Sequence, residues 1–158
     1  MSKTVTVSDQ TGTEALAARL AAIAKPGDVI LMHGTLGMGK SAFCRAFIRA
    51  VADNPHEEVP SPTFTLVQIY ELDRLPVWHF DLYRLSDPEE IHELDIEDAF
   101  ADAVSLIEWP DRLDYLTPEN RLDIHIGPGS TPDGRVFILE PSGDDWVTRI
   151  DQLAGDGV

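Results

Sequence analysis

Asp28-Val29-Ile30-Leu31-Met32-His33 runs directly into Gly34-Thr35-Leu36-Gly37-Met38-Gly39-Lys40-Ser41. The first stretch is apolar without alternation and is preceded by Lys25-Pro26-Gly27. A short continuous apolar run bounded by turn residues suits a strand buried on both faces, as in a parallel sheet. The second stretch matches the phosphate-binding pattern G-x-x-x-x-G-K-[ST]. Its glycines let the backbone curl so that successive N–H groups point inward at phosphate oxygens. The helix expected from Ala42 to Val51 adds its positive end and its unpaired N–H groups. Lys40 then reaches the β- and γ-phosphates as a point charge, and Ser41 offers its hydroxyl to Mg2+. A buried strand before the motif and a helix after it are the context the motif requires.

Outward from this centre the chain alternates elements. Gly12 to Ala24 carries apolar residues at helical spacing, and Thr4 to Val7 reads as a short edge strand. Asp53 to Pro62 is a polar, proline-bearing loop. Thr63 to Glu71 and Pro76 to Tyr83 have strand character and form an antiparallel hairpin across Leu72 to Leu75. Asp87-Pro88-Glu89-Glu90 reads as a capped helix start. Val104 to Ile107 is a second buried strand, Arg121–Ile126 and Arg135–Leu139 a second hairpin, and Asp144 to Leu153 a terminal helix. This order predicts one domain over residues 1–158: an α/β three-layer fold of the P-loop NTPase type. Its sheet is expected to be mixed and mainly parallel, with antiparallel hairpins.

Composition narrows the function. Twelve Lys and Arg stand against 28 Asp and Glu, for a net charge of −16. Such a surface repels phosphate backbones and anionic membranes, which argues against direct binding of nucleic acid or lipid. Cys44 is the single cysteine, so neither an internal disulfide nor a cysteine-rich zinc site is available. Its place beside Phe47 and Ile48 predicts inert core. The N-terminus lacks the apolar segment of a signal peptide, and no stretch reaches membrane-spanning length. A cytoplasmic protein is the expectation. Asn54 is followed by Pro55 and Asn120 by Arg121, so no Asn-Lys-x-Asp guanine reader exists and ATP is favoured over GTP.

Three acids and hydroxyls complete the candidate site. Glu108 ends the strand Val104–Ile107, and ligands of open α/β sheets lie beyond the carboxyl ends of strands. It is placed to hold Mg2+ or a metal-bound water. Alternation puts Trp78, Phe80 and Leu82 on one face of their strand and His79, Asp81 and Tyr83 on the other. Asp81 is then able to orient water, as a base or as a positioner, whereas a lone strand histidine such as His79 is expected to be structural. Thr63 lies in a proline-bearing loop suited to sensing a γ-phosphate. Trp109-Pro110 is read as a packing pair or a partner contact.

Four blocks in order carry a family resemblance: Gly34–Ser41, Ser61-Pro62-Thr63-Phe64-Thr65-Leu66, His79-Phe80-Asp81-Leu82-Tyr83-Arg84-Leu85, and Leu106-Ile107-Glu108-Trp109-Pro110. Together they resemble the TsaE (YjeE) family of bacterial P-loop ATPases in threonylcarbamoyladenosine modification of tRNA, from about Ser8 to Ile126. The resemblance implies weak ATP hydrolysis stimulated by TsaD and TsaB, with the tRNA held by those partners. It implies nucleotide contacts from Thr35, Leu36, Gly37, Met38, Gly39, Lys40, Ser41 and Ala42. It implies Mg2+ at Ser41 and Glu108, and a switch and catalytic region at Thr63 and Asp81. Trp109 would sit beside the site, Gln10 to Thr13 near the adenine, and Arg135 would approach from the second hairpin. The chain departs from the family at Ala42, where many relatives carry Thr, and at Asp95, where relatives often carry Gly. Two other uses of the same loop are a small-molecule kinase, with Arg45 or Arg84 serving the acceptor, and a non-hydrolysing interaction module.

Overall fold

A computed structural model describes residues 2–154. Strands β1 (Lys3–Val7), β2 (Val29–His33), β3 (Val67–Glu71), β4 (Pro76–Asp81), β5 (Val104–Glu108), β6 (Arg121–Pro128) and β7 (Arg135–Ser142) form one sheet. Their order is β1-β7-β6-β2-β5-β4-β3. The four central strands, β6, β2, β5 and β4, are parallel. The edges are antiparallel, with β3 on β4 and β1 and β6 flanking β7. The predicted mixed α/β architecture is therefore the one observed. The apolar runs of β2 and β5 take its middle because only a central strand buries both faces.

Helices α1 (Gln10–Ile23), α2 (Lys40–Ala52), α4 (Asp144–Arg149) and α5 (Asp151–Ala154) belong to one side of the sheet. Leu16, Leu20, Phe43, Phe47, Ile48 and Trp146 pack there on Ile30, Met32, Leu106 and Ile124. Helix α3 (Ile96–Asp102) and two 3-10 segments, Pro88–Leu94 and Pro110–Leu116, cover the other side. Ile91, Ile96, Ala99 and Leu113 meet Leu31, Phe80 and Ile107. Side-chain alternation along buried strands feeds both cores, giving the three layers.

Three expectations shift at element ends. Helix α1 begins at Gln10 rather than Gly12, because the Asp9 carboxylate accepts from the Gly12 N–H and caps it there. The stretch after Asp87 is capped as predicted but is a 3-10 segment. Residues Thr63 to Leu66, expected in a strand, form a turn. Leu66 adopts the left-handed region (φ 70°) and its N–H reaches the Pro62 carbonyl at 2.7 Å. That reversal overrides the strand preference of Thr-Phe-Thr and holds Thr63 beside the β4 end.

Asp95 also lies in the left-handed region, at φ 58° and ψ 35°, between the Pro88–Leu94 segment and α3. Its side chain makes no capping bond to α3. Glycine fits this backbone without steric cost. Asp95→Gly is expected to raise stability by about 0.5 kcal/mol, read as a higher urea midpoint with an unchanged slope.

Candidate functional site

The loop between β2 and α2 is bent by Gly37 (φ 83°) and Gly39 (φ 105°), conformations that exact a steric penalty from any other residue. The Met38 N–H closes a turn on the Thr35 carbonyl at 3.2 Å, and the Phe43 N–H starts the helical ladder on Gly39 at 2.9 Å. The first N–H groups of α2 have no partner within the helix and are left for an outside acceptor. This is a cradle for an anion.

Lys40 opens α2 and is buried. Its ammonium donates to the Gly34 carbonyl and stands 3.7 Å from the centre of the Trp109 ring. Burial pushes its pKa below the ordinary lysine value, against the opposing pull of Glu108 and Asp81. Trp109 is itself in the left-handed region (φ 59°), an uncommon place for a bulky side chain. It touches Tyr83 at a ring separation of 4.7 Å.

Backbone register delivers the acids. Glu108 at the end of β5 is paired with Asp81 at the end of β4 and with Met32 on β2. Both acids are nearly buried, at 3% and 8% exposure. The Ser41 hydroxyl donates to both Glu108 oxygens, at 3.0 and 3.1 Å. Asp81 accepts from the Tyr83 N–H at 3.1 Å. A hydroxyl and a carboxylate on one spot form a hard-oxygen donor set, which suits Mg2+ better than a softer metal. A cleft of about 300 Å³ joins Leu36, Gly37, Gly39, Lys40, Ser41 and Ala42 to Thr63, Asp81, Glu108 and Trp109. Ten of the residues predicted from sequence thus converge on one space.

The remaining predicted residues lie alongside. Gln10, Thr13 and Arg135 meet Met38, Gly39 and Ala42 in a small adjoining cavity. Arg135 reaches the cradle through its backbone: its Nε donates to the Met38 carbonyl at 2.8 Å, and its Nη1 to the Pro132 and Gly134 carbonyls. Its guanidinium braces the loop's shape. Thr35 shapes the turn with its carbonyl, and Thr63 shares a 2.7 Å hydrogen bond with Ser61. Beyond Gln10 and Ala42 a groove of about 340 Å³ continues between α1 and α2 past Arg45 and Arg49.

His79, expected to be structural, adjoins the site through Glu108. It is 1% exposed and its Nε2 lies 2.6 Å from Glu108 Oε2. The signal was present in the alternation that placed it on the Asp81 face. Cys44, His79 and Glu108 have ligand atoms within 4.8 Å of one another. Burial raises the Cys44 thiol well above its usual range, so it stays protonated core, as predicted.

Comparison with known proteins bears on this arrangement. Residues 7–135 match the family model described as "Threonylcarbamoyl adenosine biosynthesis protein TsaE". This chain belongs to the TsaE family. A Rickettsia bellii protein named tRNA threonylcarbamoyladenosine biosynthesis protein TsaE is 38% identical over 72% of this chain and 78% of its own length. A Bacillus subtilis protein of the same name is 38% identical over 72% and 70%. The crystal structure of Bacillus subtilis YdiB superposes with a TM-score of 0.77 at 27% identity, covering 98% of this chain and 95% of that one. The TsaE match begins at Val7, just before α1, and ends at Arg135, so it spans the cradle, both acids and the brace. No helix of the described residues is long and apolar enough to cross a membrane.

Proposed function

We propose that this chain serves tRNA threonylcarbamoyladenosine biosynthesis by binding ATP with Mg2+ and hydrolysing it slowly, under the control of TsaD and TsaB. The observation that carries this reading is the meeting of Ser41 and Glu108 beneath the glycine-bent cradle, with Lys40 beside them. The cradle's N–H groups bind the phosphates, and Lys40 leaves the Gly34 carbonyl to take a terminal phosphate oxygen. Ser41 and Glu108 are the residues to hold Mg2+, which when bound neutralises charge on the β- and γ-phosphates. Asp81 accepts a hydrogen bond from the attacking water and fixes its line of approach. Thr63 borders the γ-phosphate end and couples it to the turn.

A kinase's acceptor pocket is poorly supported. Arg84 lies over the Phe64 ring at 5.4 Å, and Arg45 faces the α1–α2 groove, outside the cleft. Control by a protein partner is supported by the rim of the cleft. Leu36, Phe64 and Tyr83 are 70%, 84% and 44% exposed, an apolar fringe that a partner would cover. The net charge of −16 favours that partner over tRNA as the direct contact.

The test is phosphate release from ATP by the purified chain, with Mg2+ or EDTA and with or without a TsaD–TsaB complex. Slow Mg2+-dependent release that the complex accelerates is expected; release indifferent to Mg2+ would refute the reading. Phe64→Ser is expected to keep the unstimulated rate within about twofold while weakening the stimulated rate about tenfold, the scale of an interface hot spot.

A further inference from the structure

His79, at 1% exposure, is a buried titratable side chain that the proposed chemistry leaves without a task. It belongs to β4, two residues before Asp81 and on the same face, and its backbone is paired with Leu106 on β5. From there its imidazole crosses to the neighbouring strand's terminal acid, Nε2 to Glu108 Oε2 at 2.6 Å. A carboxylate only accepts, so Nε2 carries the proton and donates. Nδ1 has no hydrogen-bond partner among the described residues. A leucine would fill the position without leaving a buried polar atom unpaired. What histidine adds here is the single bond to Glu108.

That bond differs from the other one Glu108 makes. The Ser41 hydroxyl spans both carboxylate oxygens in the free chain. A serine hydroxyl that turns to a cation ceases to anchor the carboxylate, because its one proton and its lone pairs must be reoriented. The His79 contact uses a rigid ring on a central strand and does not have to change. Glutamate has three side-chain torsions, and without a lasting partner its carboxylate has several orientations to lose on binding. Residues behind a ligand commonly fix its orientation in this way.

We propose that His79 is the positioning residue of the site: its Nε2–H holds the Glu108 carboxylate in place so that Ser41 is free to leave it and both can serve a divalent cation. This inference rests on the proposed Mg2+-nucleotide reading and adds a residue to it.

The test uses the full chain and Mn2+ with ADP, with bound metal counted by electron paramagnetic resonance. His79→Leu removes the donor at similar volume, and His79→Gln retains a side-chain N–H. His79→Leu is expected to raise the Mn2+ dissociation constant about 10–100-fold, while affinity for ADP in EDTA is unchanged. His79→Gln is expected to stay within about threefold of the parent, a rescue that a purely structural role would not produce. Wild-type Mn2+ affinity in His79→Leu, or equal losses in both variants, would overturn the inference. Failure of the parent chain to bind Mn2+ with ADP would instead overturn the reading of the site, and the inference with it. A measurement on the parent chain guards against a variant that does not fold. In 15N-histidine spectra, the signal missing from His79→Gln should be an Nε2–H tautomer with and without Mg2+ and ADP. An Nδ1–H tautomer there would exclude the bond.

Discussion

Lys40→Ala is expected to cut Mg2+-dependent ATP turnover by about 10²–10³-fold, the usual cost of removing one preorganised charge from a reacting centre. The side chain waits inside the site, held by the Gly34 carbonyl and by the face of Trp109. Its burial is unfavourable to the charged form, as its lowered pKa records. An arriving triphosphate therefore meets an ammonium that is poorly solvated and has no carboxylate in hydrogen-bond contact among the described residues, and gains more from it than from an exposed lysine. Lys40 belongs to neither hydrophobic core, so the thermal midpoint should stay within about 3 °C of the parent's. Lys40→Arg should also fail, because a planar fork does not fit the space of a point charge under the indole. Phosphate release and fluorescent-nucleotide binding, measured together, separate lost chemistry from lost affinity. A Lys40→Ala chain that retains partner function in threonylcarbamoyladenosine synthesis without turnover would make hydrolysis incidental and the chain a non-hydrolysing, nucleotide-dependent interaction module. A Lys40→Ala chain turning over at the parent's rate would remove the cradle from the mechanism.

Asp28→Ala should be the most damaging single change to stability. Asp28 and Arg149 form a two-pronged ion pair, Nη1 to Oδ1 at 2.8 Å and Nη2 to Oδ2 at 2.7 Å, with both residues buried. Asp28 also accepts from the Lys25 N–H at 2.9 Å, and Arg149 donates to the Ile23 carbonyl and stacks on Trp146 at 4.0 Å. The pair therefore joins the end of α1, the entry to β2 and helix α4. Removing the carboxylate strands a buried guanidinium, at a cost of about 3–5 kcal/mol. For a chain of this length that lowers the thermal midpoint by about 6–20 °C. Replacing both partners, Asp28→Leu with Arg149→Met, should recover most of the loss, since the penalty comes from the unpaired charge. Calorimetry of the two variants decides it. Equal loss in the single and double variants would mean that the pair is needed for more than charge balance.

The parts of this molecule that could be read from sequence were those whose cause is local. Val29–Met32 and Val104–Ile107 lack alternation because both faces are buried, and they occupy the sheet's centre. Gly37, Gly39, Lys40 and Ser41 carry their chemistry in their spacing, and Glu108 and Asp81 were placed by strand ends and period-two faces. What escaped depends on partners distant in sequence or on backbone angles. Asp28 and Arg149 are 121 residues apart, and neither neighbourhood announces the other. Thr63–Leu66 has β-forming composition, yet one left-handed leucine turns it. Arg135 was expected near the nucleotide, but its bond to the Met38 carbonyl depends on a loop 97 residues away that the start of its strand lies beside. His79 was visible on the correct face, but nothing in a single histidine reveals that the acid of the next strand is its partner.

The position of β1 at the rim of the sheet has a consequence for biosynthesis. Its ladder runs from Lys3 opposite Leu139 to Val7 opposite Arg135. On the ribosome, β1 emerges before any strand it will meet and stays unpaired until the second hairpin follows. At ordinary elongation rates that delay is roughly 7–25 s. Throughout it, a short ribbon with one apolar side is open to chaperones and to stray edges of other nascent chains. Of the seven described strands, the first to be translated is thus joined to the sheet among the last.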